Sequence, residues 1–380
     1  VKPAAMPENL PAADPSRRLQ AIQVEESCLD LPLTRQIVAR AGNLPVEVVA
    51  DRPDPAPAPV PYPHSLTAGK RLLHLGRNRG RFLKPCPATR QYRCCDYQVL
   101  NIGANCPMDC AYCILQAYLN NPWLSFYVNI DDLLDELDQA LAGTPGTLHR
   151  IGTGEFTDSM ALDRLTGLSA TLINYMARKN NAVLELKSKA VVLDHLADLD
   201  HRGRTIMAWS LNSAEVMAKL ELHTADLETR LNAAAQCAAW GYPLAFHFDP
   251  IICHPGWEEA YRATIRRLFA VVPASSIAWI SLGAFRFLPA LRGIIGSRFP
   301  RARFIHEEFV PGLDGKFRYF RPLRTRMYQV LLDELSRGAA SRTCIYLCME
   351  NDTIWQAVFG FTPEERGGLP AMLDATLPPS

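Results

Sequence analysis

From Tyr97 onward the chain alternates strand-like and helix-like runs, and no other feature narrows the choice of fold as much. The strand candidates are Gln98–Gly103, Leu148–Gly152, Ala182–Leu186, Thr205–Leu211, Leu244–Ile251 and Ile277–Gly283. Between them lie amphipathic runs at Ile130–Leu141, Ala161–Ala177, Val191–Leu199, Leu227–Ala239 and Trp257–Val271. Asp131, Asp194 and Ser213 stand where helix caps or first-turn acids belong. Strands separated by helix-length segments predict βαβ units and a parallel sheet, so the fold class read here is α/β. When such strands close into a barrel, the active site lies at their C-terminal ends.

The flanks read differently. The first 65 residues are poor in periodic apolar patterning, apart from a short helix predicted over Leu33–Ala41. Asp51–His64 is proline-rich, as in an extended linker or surface strap. Beyond residue 300, Ala302–Phe309 and Lys316–Phe320 predict two strands around Gly312-Leu-Asp-Gly315, a hairpin signal. A helix over Pro322–Arg337, a strand over Cys344–Met349 and a short final helix complete the chain. The expected organisation is an N-terminal extension with a linker (1–69), a barrel core with a cysteine-rich basic entry segment (70–300), and a C-terminal α+β segment (301–380).

Cys106, Cys110 and Cys113 follow the first strand candidate within eight residues, spaced to point at one object from a single loop. A structural zinc site wants four closed ligands, usually in two separated pairs, and no partner pair follows at that distance. Disulfides are disfavoured by an odd total of 11 cysteines in a chain too large to need them. The start lacks an apolar leader, and no stretch approaches the roughly 18 apolar residues of a membrane span. A reduced cytoplasmic setting without membrane attachment is expected. Inert buried thiols fit poorly beside Gly103, Asn105 and Pro107. An iron–sulfur cubane offers four irons, so three thiolates leave one open to a chelating small molecule.

This spacing, with Tyr112 before the third cysteine, resembles the signature of radical S-adenosylmethionine enzymes. The chain is more specifically similar to the spore photoproduct lyase family over roughly residues 70 to 350. The likeness rests on Phe82-Leu-Lys-Pro-Cys-Pro87, the cysteine run into Ile114-Leu-Gln, and Phe126-Tyr-Val-Asn-Ile-Asp-Asp132. Further on, Ser210-Leu-Asn-Ser213, Pro250 with His254-Pro-Gly-Trp257, and Asp314-Gly-Lys-Phe-Arg-Tyr319 extend it. The resemblance implies a partial (β/α)6 TIM-type barrel and a [4Fe-4S] cluster on Cys106, Cys110 and Cys113. It also implies S-adenosyl-L-methionine on the open iron, cleaved reductively to a 5′-deoxyadenosyl radical. An external electron donor of the flavodoxin or ferredoxin type is implied as well. Cofactor contacts carried over by the likeness are Tyr112, Glu155, Lys189, Ser210 and Asn212. Glu155 would accept the methionine ammonium, Lys189 would face the carboxylate, and the Ser/Asn pair would face the ribose.

The sequence departs from the family at two places. Lyases carry a hydrogen-returning cysteine near the position of Glu155 and a tyrosine where this chain has Ile114. Reversal of a thymine dimer by that relay is therefore in doubt. His247 and Asp249 alternate with Phe246 and Phe248, so both share one strand face. They line a substrate pocket if that face is inward, or are a bonded buried histidine and a turn cap. Cys253 is a candidate replacement hydrogen donor. Cys86, Cys94 and Cys95 precede the first strand, as packing thiols or as ligands of a second metal. Cys344 and Cys348 share a strand face suited to packing.

A formal charge of +1 gives no bulk attraction to nucleic acid. Yet Lys70, Arg71, Arg77, Arg79, Arg81, Lys84, Arg90 and Arg93 form a run without an acid. Lys316, Arg318, Arg321, Arg324 and Arg326 interleave with Phe317, Tyr319 and Phe320. Basic clusters with aromatics suit phosphate contact and base stacking, or they form a solvated face. Lys316, Arg318, Tyr319 and Arg321 are the expected nucleic-acid contacts. The reading is a radical enzyme acting on a damaged or modified nucleotide in DNA, extruded for reaction. A radical enzyme for a small molecule, peptide or RNA, and a non-catalytic DNA-binding or redox-sensing protein, are the alternatives.

Overall fold

The computed structural model describes residues 14–51, 60–87, 89, 91–119 and 121–377. Most of the proline-rich segment, residues 52–59, lies outside the described residues. Seven parallel strands form the main sheet, in the order Gln98–Leu100, His149–Gly152, Ala182–Ser188, Thr205–Ser210, Leu244–Ile251, Ile277–Ala284 and Cys344–Leu347. All six expected strands are present in chain order, and the C-terminal strand joins as a seventh. Leu83–Pro85 adds an antiparallel edge against Gln98–Leu100. Their residues are buried on both faces, as parallel strands covered by helices require.

The intervening helices follow their caps. Asp226 accepts from Thr229 N–H at 2.8 Å to open Leu227–Ala239, and Ser213 accepts from Val216 N–H to open Ala214–Leu220. Asp131 sits in the first turn of Ile130–Ala142. The helix expected over Ala161–Ala177 is broken by Gly167 at φ 61°, leaving Asp163–Thr166 and Leu168–Met176. The run Val191–Leu199 is not a helix but a turn-rich loop. Two adjacent valines disfavour the helix there, and Arg202 and Gly203, both at positive φ, return the chain at once to Thr205. Asp194 therefore caps nothing; it pairs with Arg164 on the surface.

A second sheet surrounds the N-terminal part, in the order Val46–Val49, Ala21–Glu25, Leu72–Gly76, Leu124–Tyr127 and Gly103–Ala104. It crosses the expected boundary at residue 69, because Ala21–Glu25 pairs with Leu72–Gly76. The C-terminal hairpin is shorter than expected: Phe309–Pro311 pairs with Phe317–Tyr319, preceded by a 3-10 turn at Arg303–His306.

The two edges of the main sheet are tied together. Arg93 N–H donates to the Glu350 carbonyl at 2.9 Å, and its guanidinium grips Asp352 through two bonds of 2.6 Å. The Arg150 guanidinium bonds Asp374 and the carbonyls of Cys95 and Pro370. Residues 91–97 thus pack against the C-terminal segment and close the gap that an open sheet would leave.

Candidate active site at the strand ends

The loop carrying Cys106, Cys110 and Cys113 is held from several sides. Asn105 takes φ 69°, a left-handed conformation that asparagine tolerates, and its Oδ1 accepts from Cys106 N–H at 2.9 Å. Its Nδ2 donates to the carbonyls of Pro122 and Trp123. The Gln116 amide donates to the carbonyls of Cys110, Ala111 and Cys113 at 3.4, 3.0 and 3.2 Å, knotting the loop from within. Buried Asp109 is clamped by Lys70 at 3.2 Å and Arg298 at 2.8 Å. Asp109–Cys110 pairs with Glu221–Leu222, and Tyr112 hydrogen-bonds Glu221. Glu221 is itself held by buried Arg230 at 2.6 Å.

All three cysteines are free thiols. Burial, with Asp158 nearby, pushes the Cys106 thiol well up, against the pull of Lys70. Burial pushes Cys110 up to about 12, with Lys189 working the other way. Among the described residues no group of three or more His, Cys, Asp or Glu side chains is arranged to hold a single metal ion. Three thiols on one preorganised loop, with lysines beside two of them, fit a multinuclear cluster, in which the three thiolates go to three separate irons. Cluster assembly would deprotonate these thiols, and the lysines supply compensating charge.

Next to this loop the strand ends converge. Glu155, after the second barrel strand, pairs with Lys187 at 3.2 Å. Burial opposes the charge on Lys187, but Glu155 and Glu185 more than restore it. Lys189 instead stands 5.7 Å over the Tyr112 ring. Ser210 is buried at the end of its strand, and its carbonyl accepts from Arg230. The Asn212 side chain is engaged already: Nδ2 donates to the Pro250 carbonyl at 2.8 Å, and Oδ1 accepts from Tyr261 and Ser213 N–H. It therefore shapes the end of the fifth strand as well as the site.

His247 and Asp249 share a face, as their spacing requires, yet neither stands free. His247 lies between Ser281 Oγ and Glu185 Oε1, each at 2.7 Å. Asp249 grips Arg286 through bonds of 3.2 and 3.1 Å. Burial would raise the Glu185 carboxyl, but His247, Lys187 and Trp279 bring it down to about 2. Cys253 N–H donates to Tyr319 Oη at 3.1 Å, and burial, with Glu307 adding to it, raises its thiol pKa. Two organising residues had weak signals in the sequence. Glu185 is the lone acid inside an apolar strand. Asp158 accepts from Met160 N–H, Ala161 N–H, Ser188 Oγ and Lys189 N–H between 2.7 and 3.0 Å, fixing the loop that carries Glu155.

The expected nucleic-acid contacts need correction. Arg318 is buried, stacked 4.0 Å from the Tyr92 ring and bonded to Asp314 at 2.7 Å. Tyr319 is fully buried against Phe309. Consecutive residues of a strand point to opposite faces, so both are buried because both faces are covered, one by Tyr92 and the other by Phe309. Lys316 is partly buried beside Asp314 at 3.8 Å, with burial and then Arg286 lowering its pKa. Arg321 is exposed, as are Phe320 and Leu313 at the hairpin. In the first basic run, Lys70, Arg77, Arg79 and Arg93 pair with Asp109, Asp132, Glu25 and Asp352. Those acids come from elsewhere in the sequence, so the fold neutralises these four, while Lys84 is exposed and Arg90 lies outside the described residues.

Comparison with known proteins agrees with this architecture. Residues 87–315 match the family model for spore photoproduct lyase. The spore photoproduct lyase of Bacillus subtilis (strain 168) is 30% identical over 204 residues, covering 53% of this chain and 60% of that protein. That of Geobacillus sp. (strain Y412MC61) is 28% identical over 205 residues, with the same coverages. The chain thus spans about 60% of the length of these two relatives. A solved spore photoproduct lyase mutant with bound AdoMet and dinucleoside spore photoproduct superposes with a TM-score of 0.78 at 21% identity. It covers 86% of this chain and 98% of its own. With the cysteine loop and the parallel strand ends in place, the family match over most of the barrel settles kinship: the chain belongs to the spore photoproduct lyase family.

Proposed function

We propose that this protein is a radical S-adenosylmethionine enzyme whose substrate is a damaged or modified nucleotide in DNA. One observation carries the proposal: three free thiols on a preorganised loop stand at the C-terminal end of the first strand of a parallel barrel. Cys106, Cys110 and Cys113 would hold a [4Fe-4S] cluster, with S-adenosyl-L-methionine on the open iron. Bound together, these groups supply a one-electron cleavage that yields a hydrogen-abstracting carbon radical.

The chain's own residues bind, orient and shield. Glu155 offers an acceptor for the methionine ammonium and Lys189 a charge for its carboxylate, with Tyr112 beneath Lys189. Ser210 and Asn212 border the ribose side. In the Glu185–His247–Ser281 chain these buried polar groups satisfy one another under the strand ends. An external electron donor of the flavodoxin or ferredoxin type and a cytoplasmic setting belong to the same reading. Among the described residues no helix is long and apolar enough to cross a membrane.

The DNA assignment draws on the relatives, one of which is a lyase complexed with dinucleoside spore photoproduct. It also draws on the exposed Leu313, Phe320, Arg321 and Lys84. The ion pairing of Lys70, Arg77, Arg79 and Arg93 favours a second reading, a radical enzyme for a smaller substrate. Thymine-deuterated, ultraviolet-irradiated DNA separates the two under anaerobic reducing conditions. Deuterium appearing in 5′-deoxyadenosine supports the DNA reading. Turnover to 5′-deoxyadenosine without deuterium gain removes thymine photoproducts as substrates.

A further inference from the structure

The barrel gathers thiols that are far apart in the sequence. Cys348 follows the last parallel strand, Cys344–Leu347, and its Sγ lies 3.5 Å from Nη2 of Arg286. That guanidinium is fixed by the two bonds it donates to Asp249. Cys348 and Glu155 each follow the C-terminal end of a strand of the same parallel sheet, so both stand at one end of it, and Glu155 and Lys187 bias the Cys348 thiol electrostatically. Burial pushes this thiol up to about 12, outweighing the pull of Arg286. Cys86, after Leu83–Pro85, also stands near Glu155 and Cys348, and burial raises its thiol too. The buried Tyr97 hydroxyl lies near Glu185 and Glu155, and burial raises its pKa. Cys344 lies deeper, near Arg150.

We propose that Cys348 is a catalytic thiol that gives its hydrogen atom to a substrate carbon radical formed at these strand ends. The assignment rests on the radical reading above. An S–H bond is weaker than the C–H bond it makes, so transfer is downhill. The S–H bond breaks homolytically, a C–H bond forms, and a thiyl radical remains on Cys348. One electron from a low-potential ferredoxin-type protein and one proton from solvent return the thiol. Only a protonated thiol has a hydrogen atom to give, and its surroundings keep Cys348 in that form. Asp249 and Arg286 act as positioning residues, the first holding the second and the second holding the sulfur. Glu155 itself, standing where the family carries its donor, has no hydrogen of comparable weakness to offer.

The test needs no identified substrate. The full chain, reconstituted anaerobically, is given S-adenosylmethionine and dithionite in D2O, and 5′-deoxyadenosine is analysed by mass spectrometry. The exchangeable thiol then carries deuterium, and the radical takes it when Cys348 is within reach. Wild type should yield deuterated product, with at least a fivefold drop in Cys348→Ala and Cys348→Ser and none in Cys344→Ala. S-adenosylmethionine affinity by equilibrium dialysis should stay within twofold, and Tm should be unchanged for the serine variant. If the alanine variant does not fold, the serine variant decides. Unchanged deuterium in both variants, deuterium absent from the wild-type product, or parallel loss of S-adenosylmethionine binding would overturn the assignment. No 5′-deoxyadenosine from any variant overturns the radical reading, and the assignment with it.

Discussion

Glu185 shows how one residue organises the interior of this barrel. Its carboxylate accepts from Trp279 Nε1 at 3.0 Å and meets His247 Nε2 at 2.7 Å, with almost no exposure. Because its folded pKa, about 2, lies below the ordinary value of 4.5, the charge stabilises the fold fully above pH 4.5. That contribution is lost as pH falls through about 2. The difference corresponds to about 3 kcal/mol. Glu185→Gln should therefore lower stability at pH 7, and the gap to wild type should narrow as pH falls from 5 toward 3. Urea melts across that range check the sign. Glu221 and Arg230 make a second buried pair, exposed by 1% and 0% of their side chains. Arg230→Ala leaves the carboxylate unpaired and should cost about 3–5 kcal/mol, whereas Glu221→Leu with Arg230→Met together should cost far less. Urea unfolding of both variants measures the contrast. The cysteine triplet was legible at this scale because its spacing is local. The burial of Arg318 and Tyr319 was not, because these neighbours point to opposite strand faces and the sequence cannot say that the rest of the molecule covers both.

At the scale of elements, the sequence located the parallel strands because two-sided burial leaves continuous apolar runs. It misplaced the segment Val191–Leu199, where composition suited a helix but the distance between strands did not. The alternation could not show that Cys344–Leu347 joins the sheet, since its neighbour Ile277–Ala284 is separated by a hairpin and two helices. Close approach between elements gives a test of register. A Cβ at Gly152 would stand 1.6 Å from Tyr97 Oη and 2.9 Å from the Glu185 carbonyl. Gly152→Ala should thus cost about 1–3 kcal/mol by overpacking. The same substitution at Gly146, with nothing within 4 Å, should change stability little. Thermal melts of the two variants compare them directly.

For the molecule as a whole, closure of the sheet depends on contacts between residues 91–97 and the C-terminal segment. Arg93 binds Asp352 and Glu364 through partly exposed ion pairs. Such pairs contribute about 1 kcal/mol or less. Arg93→Ala should leave global stability nearly unchanged while raising amide exchange across residues 91–97, read by hydrogen–deuterium exchange mass spectrometry. Uniform exchange in both proteins would mean that Arg93 does not hold the closure. The closure matters because it brings Cys348 and Cys86 from opposite edges of the sheet toward Glu155, an arrangement no local pattern could foretell. The central claim is that Cys106, Cys110 and Cys113 hold a cluster with one iron open to S-adenosylmethionine. Electron paramagnetic resonance of the dithionite-reduced, reconstituted protein tests it most directly. The account predicts a reduced [4Fe-4S] signal that changes when S-adenosylmethionine is added and vanishes in Cys113→Ala. A protein without that signal, or with a signal indifferent to S-adenosylmethionine, would contradict it.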